Sequence, residues 1–225
     1  MTAALFVLGN VTIAPRIHAW KAARDIDALL RDDPFYSVIL ADHPAVREPL
    51  RAGLLKAVQS SNPSEAATQV GASVLGPIFP AYIPRASDQA LVQFTAKMVA
   101  TLMAIRQQDP NRCYGFLYPA RGPVTAVRNE EGAEGLLRAL QMVVTSSRSH
   151  APPIPKEEAV SAALQVVFAT LASKYGDDIQ LLQHADGVGV DRAKVCSLTI
   201  DLFEEIGRLP PESQAPLLRF LYSQS

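Results

Sequence analysis

Apolar residues recur at steps of three and four along nearly the whole chain and nowhere in sustained alternation, so the sequence predicts helices and no convincing strand. Ile17, Trp20, Ala23, Ile26 and Leu30 form one stripe and predict a helix over 17–31 that ends at Asp33-Pro34. Val46, Leu50, Leu54 and Val58 predict a second helix, beginning near Pro44 or, because of Pro49, slightly later. Asn62-Pro63-Ser64-Glu65 is the clearest start signal: an Asn cap, proline at the first helical position, and a glutamate placed to reach back to the cap amide. The helix it opens runs to Gly76, where three prolines within 76–84 break regular structure and leave an apolar connector.

Ser87 caps the next helix, expected over 88–106, with Leu91, Phe94, Met98, Leu102 and Ile105 at helical spacing and Lys97 as its only interior charge. Asp109-Pro110 closes it, and 111–119 reads as an aromatic-rich loop or short helical turn. A helix over 130–144 follows, then a serine- and proline-rich connection at 146–155. The segment 156–174 carries Val160, Ala163, Leu164, Val167, Phe168 and Leu171 on one face and no charge from Ala159 to Ser173. Polar interruptions and shortness argue against a membrane span there. A short helix over 177–183, a turn at Gly187-Val188-Gly189, a helix capped by Asp191 and a last one opened by Pro210-Pro211 complete the pattern. The expected fold is all-α, a single multi-helix globular bundle of about eight helices, with 88–106 and 156–174 as two central, mostly apolar members.

Composition narrows the functional classes. With 225 residues, 48% hydrophobic and 19% charged, the chain can bury a sizeable core. A net charge of −1, and no block of like charges, argues against nucleic acid as a partner. Arginine outnumbers lysine 15 to 6 and alanine is abundant, a composition typical of GC-rich bacterial genomes.

Residues 1–15 are uncharged and apolar but for Thr2, Asn10 and Thr12, and are set apart from a helical domain over 16–225. They are too few to span a bilayer comfortably and lack the basic n-region of a signal. A shortened membrane anchor, a buried first segment of the fold and a cleaved signal all remain open, and any membrane contact is expected through this segment alone. The only two cysteines, Cys113 and Cys196, lie 83 positions apart. Joined, they would close a loop for which the chain-entropy model gives about 4.5 kcal/mol. The pair favours the oxidising side of the cell envelope over the cytoplasm. The alternative is two buried thiols in a reduced cytosolic core.

Chemistry-bearing motifs are sparse. His18, His43, His150 and His184 stand far apart and form no metal-ligand spacing, so no metal and no cofactor is expected. Asp186 and Asp191 flank two glycines but lack the ligand alternation of a calcium loop. Gly71-Ala72-Ser73-Val74-Leu75-Gly76 misses the nucleophile elbow by one residue and follows no strand. No catalytic set is assigned.

The expected function is therefore that of a non-enzymatic helical protein-interaction module, tethered at the bacterial envelope, with another protein as partner. Its expected surface is the aromatic segment Tyr114, Phe116, Tyr118 and Arg121 with Phe79 and Tyr82 of the connector, since aromatics and arginine are the usual anchors. Core packing of the same aromatics is the competing expectation. The alternatives are an enzyme or small-ligand carrier with a site assembled between helices, marked by His184 meeting Asp186 or Cys196, and a cytosolic regulatory protein.

Overall fold

The computed structural model describes residues 19–118, 130–149, 152–185 and 187–224. Among them are ten α-helices and no strand. Residues 1–15, Arg121 and Asp186 lie outside the described residues.

Helix α1 spans Ala19–Asp32 and α2 Pro34–Asp42. The sequence pattern predicts no helix over 34–42, only the end of the first at Asp33-Pro34. Asp33 accepts from the amides of Phe35 (2.9 Å) and Tyr36 (3.3 Å) while Pro34 occupies the first helical position, so one dipeptide stops α1 and starts α2. A 3-10 turn at Pro44–Val46 leads into α3, Arg47–Val58, and Pro49 is tolerated because it falls in the first turn, where no intrahelical amide is needed. In α4, Pro63–Leu75, the start is as expected but the cap works differently: the Asn62 side-chain amide donates to Glu65 at 2.6 Å and makes no bond to the helix backbone. Helices α3 and α4 approach so closely that a Cβ at Gly53 would stand 2.5 Å from Val70 Cγ1, which explains glycine there.

The connector packs. It folds as two 3-10 segments, Gly76–Ala81 and Ile83–Arg85, whose Phe79, Tyr82, Ile83 and Pro84 are buried. Phe79 stacks on Phe35 at 5.9 Å between ring centres, and the Tyr82 hydroxyl donates to Asp42 at 2.9 Å. Arg219, itself buried, donates to the Pro84 and Ala86 carbonyls at 2.8 and 2.7 Å, satisfying acceptors that a 3-10 bend leaves free.

Helix α5, Asp88–Gln108, is the axis of the bundle. Ser87 caps it by accepting from the Ala90 amide. Around it lie α6 (Pro110–Leu117), α7 (Glu130–Ser146), α9 (Arg192–Arg208) and α10 (Pro211–Ser223). Helix α8, Glu157–Tyr175, stands where it was expected, and Gly176, at φ +55°, ends it in a conformation that disfavours any side chain. It packs on α9 and α10 and on the 3-10 segment Gly176–Leu182 that follows it. Its place is peripheral, not central: Val160, Val167 and Leu171 are its only buried side chains, and Phe168, expected inward, is exposed. One contiguous apolar cluster runs from Ile26 to Tyr222, with a small satellite of Tyr114, Ala185 and Val195.

Candidate interaction surface

Of the aromatic surface expected from the sequence, Phe79, Tyr82, Tyr114 and Phe116 are buried. Of the loop or short helical turn expected over 111–119, the helical form is present: residues 110–117 are α6, started by Asp109, which accepts from the Asn111 amide, and by Pro110 at the first helical position. Within two turns, Cys113, Tyr114, Gly115, Phe116 and Leu117 all turn inward. Tyr114 donates its hydroxyl to the Ala185 carbonyl at 3.0 Å and lies under the Arg192 guanidinium, 5.3 Å from the ring centre. Tyr118 is half-buried against it, ring centres 4.9 Å apart. With Phe79 and Tyr82 also in the core, four of the six expected anchors are structural, and Tyr118 keeps partial exposure.

Cys113 of α6 and Cys196 of α9 stand at disulfide distance, with Cα atoms 5.9 Å apart and both side chains fully buried. That separation is ordinary for a bonded pair. The tie lies where α6, packed on α5, meets the first turns of α9. His184 is exposed, and a paired Cys196 has no free thiol to offer it, so the cysteine–histidine marker of an enzyme site is not assembled. Ser73 sits on α4 with its hydroxyl bonded back to the Val70 carbonyl at 3.0 Å. Asp191 caps α9 by accepting from the Lys194 amide at 3.0 Å. Among the described residues, no three metal-ligating side chains come together.

Two surface features remain. The first is a groove of about 450 Å³ between α5, α9 and α10. Val99, Phe203, Ile206 and Leu218 make an apolar floor, Ala96, Ala100 and Met103 one wall, and Glu204, Arg208 and Gln214 the edge. Gln214 has a structural duty there, donating to the Gly207 and Leu209 carbonyls at the end of α9. Glu205 is occupied by Arg208. The lining offers contact area to an apolar group but no convergent acid and base.

The second feature is the outward face of α8. Ala159, Ala162, Val166, Ala169 and Ser173, spaced by three and four, are all exposed, and Gln165 and Phe168 flank them. Val166 is 59% exposed and Phe168 36%, while Ile154, in the segment entering the helix, is 52% exposed. Charge appears only at the ends, with Glu157 and Glu158 at the start and Lys174 in the last turn. Lys174 pairs with Asp201 of α9, which also accepts from the Tyr175 hydroxyl; the hydrogen bond that the ammonium donates to Asp201 holds it above its ordinary value, with burial opposing. This tie fixes the C-terminal end of α8 against α9, and the face of the helix turned away from α9 and α10 stands as a ridge. The sequence carried the signal, fifteen uncharged positions, but the same signal describes a buried helix. Among the described residues, no helix is long and apolar enough to cross a membrane.

Fold and surface together define an all-helical globular protein with a buried cysteine tie and one apolar helix edge. No protein-family model, no curated protein and no solved structure matches the chain.

Proposed function

We propose that this chain is a non-enzymatic protein-interaction module that works on the oxidising side of the bacterial cell envelope and engages its partner through α8. The observation that carries this reading is the charge-free outward face of α8, which keeps Val166 and its small neighbours in water although Val160, Val167 and Leu171 on the other side are buried. Contiguous exposed apolar surface rimmed by charge is the usual mark of a protein contact. The compartment is supported by the buried Cys113–Cys196 pair, since such ties persist where thiols are oxidised.

A photo-crosslinking residue placed at position 166 in the full chain tests the reading in cells. Protein adducts should form there and be absent from the same probe at Gln93, an exposed polar position of α5. Equal labelling at both sites would reject α8 as the contact, and thiol labelling of Cys113 and Cys196 without reductant after denaturation would reject the compartment.

A second reading, a carrier of a small apolar ligand, is favoured by one observation, the groove between α5, α9 and α10, whose volume falls in the range of small-molecule sites. Native mass spectrometry of the isolated protein tests it: a co-purifying ligand that disappears in Ala100→Trp would favour the carrier.

A further inference from the structure

The face of α8 also indicates what covers it. We infer that α8 pairs with α8 of a second copy of the chain, antiparallel about a two-fold axis at Val166; this rests on the reading of α8 as the contact surface.

The argument begins with charge. Helix α8 is acidic at its start, with Glu157 and Glu158 exposed, and cationic in its last turn, where Lys174 remains 61% exposed beside Asp201. Between those ends the outward face is uncharged. A partner helix running parallel in register would set the acids of both copies together and the lysines together. Running antiparallel, it brings Glu158 of one copy to the end where Lys174 of the other lies, and opposes the helix dipoles. The helix is therefore charge-complementary to itself in one orientation only.

Geometry agrees. Val166 is the midpoint of Glu157–Tyr175, so a two-fold axis there sets Val166 against its own copy and Ala162 against Thr170 of the other. A closed isologous contact requires this kind of self-matching. Ala159, Ala162 and Ala169 flank the valine, and such small side chains let two helices approach to about 8–10 Å between axes. The ridge also suits a second ridge of its own kind, because it has no protruding charge along its length to repel one.

The test uses Val166→Cys in the full chain, clean because the native cysteines are buried and paired. At about 0.1 mM, oxidation should give covalent dimers at least about tenfold faster than the same change at Gln93, since pairing raises the local thiol concentration. Sedimentation of the unmodified chain at that concentration should give the dimer mass, and Val166→Glu, with its helical circular dichroism unchanged, the monomer mass. A wild-type monomer, a dimer that survives Val166→Glu, or cross-linking no faster at 166 than at 93 would overturn the second copy as occupant. If cellular adducts at 166 then proved to be a different protein, the interaction reading would stand without the self-pairing.

Discussion

Helices α5 and α8 are near twins as sequences and opposites as structures. Each runs for about five to six turns, carries a helical stripe of Leu, Val, Phe or Met, and has almost no interior charge. Helix α5 is covered by four other helices and buries nine residues, including Thr95 and Thr101; α8 is covered on one side and buries three. Absence of charge sets what a helix can tolerate, and the number of neighbours sets what it gets. An uncharged face left in water is then a property of assembly, to be explained by what else the chain meets.

The sharpest test of this contrast acts on the tie beside α5. Replacing both Cys113 and Cys196 by serine should lower stability by up to about 4.5 kcal/mol relative to the oxidised protein, read as a fall in the urea midpoint, because 83 residues of loop closure are released. Reductant should shift the unmodified protein towards the same midpoint and leave the double variant unmoved. Next comes Leu102→Ala in α5: the side chain has no exposed surface, and the cavity should cost about 3–4 kcal/mol in the same experiment.

An acid titration probes a third level. Asp42, at the end of α2, accepts from Arg148 beyond the end of α7 and from Tyr82. The Arg148 hydrogen bond holds its carboxyl below the ordinary value, with burial opposing and the Tyr82 hydroxyl assisting. A depressed folded value gives stability that is complete above the unfolded carboxyl value of about 3.9 and is lost as pH falls through the folded one. Below about pH 4 the wild type should therefore lose more of its thermal midpoint than Asp42→Asn. The smallest expected effect belongs to α8. Val166→Ala should change monomer stability by no more than about 0.5 kcal/mol, a surface-sized value at a position whose counterpart in α5 costs several times more. If Val166→Ala proved as costly as Leu102→Ala, the distinction between the two helices would collapse.

Much of the fold was legible in the residues. Ser87, Asp191 and Pro63 opened helices where expected, and the long helices lay within a few positions of their predicted bounds. Helix α2 has no counterpart in the sequence pattern, and α6 stands there only as a loop or short helical turn, for one physical reason. Asp33-Pro34 and Asp109-Pro110 each look first like stops, because proline disfavours helix in the residue before it. The same aspartate caps a new helix and the same proline fits its first position, so each pair is a hinge between two helices. The candidate surface was less legible. In a two-turn helix such as α6, aromatic spacing carries no face, so Tyr114 and Phe116 read equally well as anchors or as core. In α8, Phe168 was placed inward because its stripe was assumed wider than the three side chains that reach the core.

The covalent loop closed by Cys113 and Cys196 gives the chain an asymmetry towards proteases. Helices α7 and α8 and the exposed turn around Pro153 and Ile154 lie inside it, so a single cut there leaves the oxidised protein one molecule of unchanged mass apart from added water. A cut before Cys113 or after Cys196 sheds a fragment at once on denaturation. Nicked protein would run as one band without reductant and as two with it, and the sizes of those two would locate the cut within the ring.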